Sequence, residues 1–567
     1  MSEQWWKSAV VYQVYPRSFA DADGDGTGDL RGIIDRLDYI AALGVDVVWL
    51  SPVYPSPMDD NGYDISDYQD IDPLFGTLAD FDELVSRMHE GGLRLMMDLV
   101  VNHTSDEHPW FEESRTSKDN PKRDWYWWRP ARPGTTPGEP GSEPNNWDSF
   151  FSDSAWEFDE ATQEYYLHLF SKKQPDLNWE NPDVREHVYD MMRWWLERGV
   201  DGFRMDVINF ISKMTDLPDR CVTPVEVPGD GTPYDFFRPR IHEFLYEMNN
   251  AVFAPADKDL VIVGEMPGVT VDDAVLFTDP ARCEVDMVFE FEHMGVDRGH
   301  DKWDIVPFAL PRLKESLGRW QRGLAERGWN SLYWNNHDQP RVVSRFGDDG
   351  EFRVRSAKML GTVLHMQRGT PYIYQGEELG MTNTVLEGID DFRDIESINH
   401  FARATAVGQP PADVLEKLRF MSRDNARTPM QWDDTAHAGF TTGEPWIPVN
   451  PNYKEINAEA QSVDEDSVLW HYRRLIELRH ELPVVAHGSF TMLLDEHPFV
   501  YAFMRCLGNT ELLVLGNFSA EQQQVDVPDV ASWLASELLL CNVSREPYDH
   551  PPSQLAPWES RIYRKDR

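Results

Sequence analysis

Four apolar runs in this chain end in polar groups: Asp98-Leu99-Val100-Val101-Asn102-His103, Gly202-Phe203-Arg204-Met205-Asp206-Val207, Gly264-Glu265-Met266-Pro267 and Trp334-Asn335-Asn336-His337-Asp338. Breaking a glycosidic bond takes two carboxyls, one to protonate the leaving oxygen and one to attack or to activate water, through an oxocarbenium-like transition state. Strand side chains alternate, so Arg204 and Asp206 point the same way, and the guanidinium can hold the carboxylate ionised and oriented as a nucleophile. Glu265 follows Val261-Ile262-Val263-Gly264, an apolar run suited to a proton-donating carboxyl. A double-displacement enzyme holds such a pair roughly 5–5.5 Å apart, a spacing that neighbouring strand ends can supply. The chain has 98 acidic residues, so a single one is more readily structural or solvated. The coincidence of several at strand ends is what carries the assignment.

The elements that must position these groups alternate between β-rich and amphipathic stretches. Strands are read at Val10–Phe19, Val45–Leu50, Leu93–Val101, Val200–Ile208, Leu260–Glu265, Val285–Phe291, Ser331–Asn335 and Pro371–Gln375. Helices are read at Leu30–Leu43, Thr77–His89, Val184–Arg198 and Ile241–Val252. About eight strand starts favour an α/β fold of the closed (β/α)8 TIM barrel type, in which chemistry sits at the carboxyl ends of the strands. No Gly-x-Gly-x-x-Gly turn follows the first strand, which removes the main support for a dinucleotide-binding sheet. The barrel is expected over residues 1–104 and 174–482. A Trp-, Pro- and Gly-rich lid subdomain is inserted over 105–173 after the third strand, and a long excursion runs over about 382–453 after the eighth. The helix Val468–His480 follows, and the α/β pattern ends at Pro483. Alternating segments at Ser489–Leu494, Phe499–Arg505 and Glu511–Asn517 then point to a C-terminal antiparallel β-sandwich domain over 483–567.

With 53 basic against 98 acidic residues the formal net charge is −45, so nucleic acid and anionic membrane surfaces are poor partners. No apolar run reaches the roughly 18 residues of a membrane helix, and the N-terminal Met1-Ser2-Glu3-Gln4-Trp5-Trp6 does not read as a secretion signal, so a cytoplasmic protein is expected. Cys221, Cys283, Cys506 and Cys541 form no CxxC pair and are read as buried thiols. Aromatic residues make up 12% of the chain, with 21 Trp, and cluster as in Trp125-Tyr126-Trp127-Trp128. Flat rings beside acids suit sugar rings, which offer an apolar face and need acceptors for their hydroxyls.

Taken together, Val11-Tyr12-Gln13-Val14-Tyr15-Pro16-Arg17-Ser18-Phe19, Gly62-Tyr63-Asp64-Ile65, Asp98–His103, Gln174-Pro175-Asp176-Leu177-Asn178, Gly202–Asn209, Glu265, His337-Asp338 and Arg423-Asp424-Asn425-Ala426-Arg427-Thr428-Pro429-Met430-Gln431-Trp432 resemble the α-amylase superfamily, in its oligo-1,6-glucosidase and α-glucosidase branch. The resemblance implies Asp206 as nucleophile, Glu265 as general acid/base and Asp338 as a carboxylate that grips sugar hydroxyls in the transition state. It implies that Asp64 and Arg423, with Arg427 a near alternative to Arg423, clamp the non-reducing end and enforce exo action. Tyr63 resembles the stacking ring, and His103, Phe170, Arg204 and His337 match further contacts to the terminal glucose. Val207, after the nucleophile, resembles the α-1,6-preferring type rather than the Ala or Thr of many α-1,4 enzymes.

Asp21-Ala22-Asp23-Gly24-Asp25-Gly26-Thr27-Gly28-Asp29 alternates carboxylates with glycines, a pattern able to wrap oxygens around Ca²⁺, but Gly32 stands where an EF-hand needs Glu. The loop resembles instead the single Ca²⁺ or Mg²⁺ site of the α-glucosidase branch, which implies Asp21, Asp23, Asp25 and Asp29 as side-chain ligands and Thr27 through its carbonyl. That metal would be structural, and no cofactor is expected for catalysis. The expected activity is a retaining exo-α-glucosidase acting on α-1,6-linked short oligosaccharides, as a monomer or weak homodimer. The alternatives are an α-1,4-preferring or sucrose-acting glucosidase, a glucosyltransferase or an isomerase on the same scaffold. The isomerase reading is weakened by Gln339-Pro340-Arg341-Val342-Val343-Ser344-Arg345-Phe346. A non-catalytic sugar-binding or scaffold protein would have no need of Asp206, Glu265 and Asp338 together.

Overall fold

The computed structural model describes residues 4–151, 153–219, 240–533, 535–543 and 553–566. Its centre is one eight-stranded parallel sheet of β1 (Val11–Val14), β2 (Val47–Leu50), β3 (Arg94–Leu99), β4 (Gly202–Met205), β5 (Val261–Glu265), β6 (Met287–Phe289), β7 (Ser331–Leu332) and β8 (Thr370–Tyr374). The strand order runs from β7 through β8 and β1 to β6, and a parallel bridge between Val288 and Asn330 joins the two ends, closing the barrel. Covered on both faces, the strands are almost wholly buried, which is why they read as continuous apolar runs rather than alternating ones. Register places Asp98 beside Arg204 and Arg204 beside Val263, so the carboxyl ends of β3, β4 and β5 rise side by side. The approach of β4 to β5 is close enough that a Cβ on Gly202 would meet the Val261 carbonyl at 2.1 Å.

Several elements are shorter than their sequence suggests. The first strand stops at Val14, and Pro16–Ser18 form a 3-10 turn. The fourth stops at Met205 because Val207 takes a left-handed conformation (φ 35°, ψ 40°). The helix read over Leu30–Leu43 is two helices, Leu30–Asp35 and Leu37–Leu43, divided at Arg36 (φ −108°, ψ 7°).

Between β3 and β4 the chain forms a three-stranded antiparallel sheet of Trp128–Arg129, Trp156–Asp159 and Glu164–Leu167, with the last in the middle. Its apolar side chains Trp127, Trp147, Trp156 and Leu167 share a core with Val207 and Phe210 of the barrel rim, so the aromatic residues of the insertion fasten it over the strand ends. After β8, helices Ile395–Ala406 and Pro411–Met421 make a further layer around Trp303, Leu386, Phe392, Val414, Leu418 and Met421.

Pro483 does not end the helical part of the chain. It opens a further short helix, Pro483–His487, at a first-turn position where its missing N–H is harmless. A five-stranded antiparallel sheet follows, built from Ser489–Leu493, Val500–Leu507, Thr510–Asn517, Glu537–Cys541 and Ser560–Asp566, beside a two-stranded pair of Gln523–Gln524 and Gln554–Leu555. The expectation of buried thiols fails at Cys283, which is exposed in a left-handed turn (φ 55°), while Cys506 and Cys541 are half-buried. Cys221 lies outside the described residues. Among the described residues no helix is long and apolar enough to cross a membrane.

Candidate active site

A cavity of about 690 Å³ opens at the carboxyl ends of the barrel strands, beneath the insertion. Asp206, Glu265 and Asp338 all line it, together with Tyr63, His103, Phe170, Val207 and Arg423. Arg204 lies beneath its floor, fully buried on β4. Its Nη1 donates to Asp98 Oδ1 and to Asp206 Oδ1, each at 2.7 Å, and its Nη2 pairs with Glu265 Oε1. One guanidinium therefore orients both members of the carboxyl pair. Burial, together with the neighbouring Glu265 and Asp98, pushes Asp206 above the ordinary carboxylate range, against the pull of Arg204. The surroundings of Glu265 are thus not the apolar setting suggested by the residues before it: besides Arg204, it accepts the Val207 N–H at 3.1 Å.

Asp338 stands across the cavity in a basic frame. Burial opposes its charge, but His337, Arg423 and Arg427 outweigh burial and hold it well below the usual carboxylate range. Gln13 Nε2 lies 2.9 Å from His337 Nδ1, and His337 Nε2 lies 3.2 Å from Asp338 Oδ2. The buried His337 ring also lies flat under Tyr63, with centroids 4.9 Å apart and planes within 2°, so it supports the ring that faces the cavity. The Tyr63 hydroxyl is anchored on Asp98 Oδ2 at 2.9 Å. His103 is buried, which lowers its pKa to about 4, so it presents a neutral ring there; Phe170 packs beside it at 5.2 Å.

Asp64 is not where the motif suggests. It is fully buried and accepts from the Asp59 and Asp60 N–H groups and from Ser56 Oγ, and burial pushes it up to about 7. The carboxylate that meets Arg423 is Asp60, at 2.9 Å from Nη2. Asn61 (φ 52°) and Gly62 (φ 106°) reverse the chain between the two acids, turning Asp60 into the cavity and Asp64 back onto the turn. That reversal is a property of the folded turn, and the only trace of it in the sequence is the Asn-Gly pair. Arg423 also pairs with Asp394 and with Asp338 Oδ1 at 3.2 Å, and Arg427 reaches the same Asp338 oxygen at 2.9 Å, so both arginines of the motif take part. Asp60, Asp98 and Asp394 are the members that sequence reasoning missed.

Away from the cavity, oxygens of Asp21, Asp23 and Asp29 lie within 4.8 Å of one another, a set of hard donors that fits a Ca²⁺ or Mg²⁺ ion. Asp25 stands outside this set, its Oδ1 accepting the Thr27 N–H at 2.8 Å. Asp29 in addition caps the helix Leu30–Asp35 through the Gly32 N–H.

Comparison with known proteins bears on this arrangement. The chain is 57% identical over 567 residues to an oligo-1,6-glucosidase of Parageobacillus thermoglucosidasius (100% of this chain, 99% of that one). It is 56% identical over 566 residues to an oligo-1,6-glucosidase of Bacillus cereus (100% of each). The crystal structure of the trehalose-6-phosphate hydrolase of Bacillus licheniformis superimposes with a TM-score of 0.91 at 47% identity, covering 99% of this chain and 100% of that one. The family model for the α-amylase catalytic domain matches residues 13–488, and with the closed barrel and its acids at the strand ends, the chain belongs to the α-amylase family.

Proposed function

We propose that the chain is a retaining exo-α-glucosidase that releases terminal glucose from short α-1,6-linked oligosaccharides such as isomaltose. The observation that carries this reading is the Arg204 fork, which holds Asp206 and Glu265 on adjacent nitrogens at one wall of a cavity bounded elsewhere by the Asp60–Arg423–Asp338 network. Two carboxyls on one guanidinium suit the short spacing of double displacement, roughly 5–5.5 Å, better than the roughly 6.5–9.5 Å that an inverting enzyme needs for its water.

In the first step Glu265 gives its proton to the glycosidic oxygen, the bond from C1 to that oxygen breaks, and an Asp206 oxygen bonds to C1 to form a β-glucosyl ester. In the second, Glu265 takes a proton from water, the water oxygen bonds to C1, and Asp206 leaves as a carboxylate, so glucose departs with its original α configuration. Asp338, kept ionised by its basic frame, accepts from sugar hydroxyls as positive charge develops on the ring. Asp60 and Arg423 grip the non-reducing end, and Tyr63 and Phe170 cover the apolar face of the ring.

Val207 on the cavity wall supports the 1,6 preference. Of the cations farther along the cavity, Lys302 pairs with Glu396 and Arg403 with Asp153, which favours a neutral leaving sugar over a phosphorylated one, while Arg298 donates to Gln339 Oε1 at 3.1 Å. A Ca²⁺ or Mg²⁺ on Asp21, Asp23 and Asp29 would be structural, tying the loop after β1 together. The enzyme is taken as a cytoplasmic monomer or weak homodimer. The test is kcat/KM for isomaltose, maltose, sucrose, trehalose and trehalose 6-phosphate at equal enzyme concentration. Isomaltose is expected to lead, and a clear preference for maltose or for the phosphorylated sugar would overturn the reading.

A further inference from the structure

Among the described residues with positive φ, Val207 is the one β-branched side chain. A valine at φ 35°, ψ 40° is a steric outlier, and such strain persists only where surrounding structure over-determines it. Three hydrogen bonds do so here. Asp206 N–H is fixed on the Leu99 carbonyl at 2.9 Å, the Val207 carbonyl accepts from Phe210 N–H at 2.8 Å, and buried Asn209 Nδ2 donates to the Pro267 carbonyl at 2.8 Å. The last bond ties the segment after the proposed nucleophile to the segment after Glu265. The strained turn aims the Val207 N–H away from any continued β-ladder and onto Glu265 Oε2 at 3.1 Å.

From this geometry we infer that Val207 is a positioning residue for proton transfer: its main-chain N–H orients Glu265 and stabilises the carboxylate left when Glu265 gives up its proton. The inference rests on the proposed roles of Asp206 and Glu265, and adds to them a task for Val207 separate from that of its side chain on the cavity wall. Glu265 starts glycosylation as a neutral acid and ends it as an anion, so a donor fixed on Oε2 interacts more strongly late in the step than at its start. The benefit therefore scales with how much protonation the leaving group requires. A sugar alkoxide requires nearly all of it, whereas 4-nitrophenolate leaves with little help.

The experiment replaces the Val207 amide by an ester, incorporating the α-hydroxy analogue of valine, which keeps the side chain and exchanges the N–H for an oxygen that cannot donate. We expect kcat/KM for isomaltose to fall about 10-fold or more, the range of a hydrogen bond to a charged group, while kcat/KM for 4-nitrophenyl α-glucoside stays within about 2-fold. Asn209→Ala, which cuts the tie to Pro267, should show the same leaving-group dependence in weaker form, and it serves should the ester fail to fold. Equal losses on both substrates in the ester and in Asn209→Ala would overturn the inference. The underlying reading fails differently: there the unmodified enzyme would not cleave isomaltose, or Asp206→Asn would still turn over 4-nitrophenyl α-glucoside.

Discussion

Asp60 and Asp64 are four positions apart, both acidic and both buried, yet they face opposite ways. Asp60→Asn removes a charge opposite Arg423, so kcat/KM for isomaltose should fall roughly 10- to 100-fold, mainly through KM, with little change in Tm. Asp64→Asn turns an amide donor toward one of the two backbone N–H groups that now meet separate carboxyl oxygens, so it should cost about 1–3 kcal/mol of stability by denaturant titration. If Asp64→Asn raised KM more than Asp60→Asn, the assignment of the clamp would be reversed. Asp206→Asn should lower kcat/KM at least ~10³-fold with the fold intact, read by turnover beside a thermal melt. Asp206, Glu265 and Asp338 were readable because strand ends announce themselves as polar breaks in apolar runs. Asp60 was not, because its direction depends on two left-handed residues that follow it. Asp394, contributed by the N-cap of a helix far along the chain, left no periodic signal at all.

The barrel strands and their order were readable for the same reason that their limits were not. Burial on both faces makes a run apolar, but it does not mark where the ladder stops, and the ends at Val14 and Met205 are set by a 3-10 turn and by the Val207 conformation. The attachment of the insertion shows what pattern alone misses. Lys213, fully buried, donates to Asn102 Oδ1 at 2.9 Å and to the Phe210 carbonyl at 2.7 Å, and pairs with Asp176 Oδ2 at 2.8 Å. One ammonium thus joins the end of β3, the rim after β4 and the segment that returns from the insertion, where Asp176 forms an isolated bridge with His103. Lys213→Met would strand Asp176 without its cation and is expected to cost about 3 kcal/mol or more, and to raise KM because Phe170 rides on the same insertion. A Tm unchanged in this variant would mean that the apolar core of the insertion alone holds it down. The loop after β1 calls for a parallel measurement. Gly26 packs so tightly on the Glu444 backbone that a Cβ would lie 1.8 Å from that carbonyl oxygen, so loosening the acidic loop would loosen the excursion after β8. Chelation with EDTA should lower Tm, and Ca²⁺ should restore it, without altering the leaving-group dependence of kcat/KM.

For the molecule as a whole, the net charge of −45 and the buried acids act on stability in different ways. Glu377 is pushed up to about 8 by burial, where it meets Tyr472 and Asn335, and Asp286 is pushed up to about 7. An acid whose folded pKa exceeds its unfolded value, about 4.3 for Glu, keeps its proton in the native state after the unfolded chain has released it. Its contribution is complete below about pH 4 and is lost as pH rises toward 8, so these acids favour the mildly acidic side. Glu377→Gln holds a neutral group at every pH. The stability of this variant relative to wild type should therefore improve by on the order of 1–3 kcal/mol between pH 5 and 8, and a difference independent of pH would remove Glu377 as the cause. The surface excess behaves otherwise, because repulsion between exposed acids is screened within about 10 Å at 0.1 M salt and about 3 Å at 1 M. Raising NaCl from 0.1 to 1 M should therefore increase Tm while leaving the buried-acid effect almost untouched. The proposed substrate is neutral and reaches its site without electrostatic steering, so kcat/KM for isomaltose should hold within about 2-fold over the same range. If trehalose 6-phosphate were instead the better substrate at 0.1 M NaCl and its kcat/KM fell steeply by 1 M, recognition of the charged sugar phosphate would be shown, and the functional reading would turn toward the phosphorylated disaccharide.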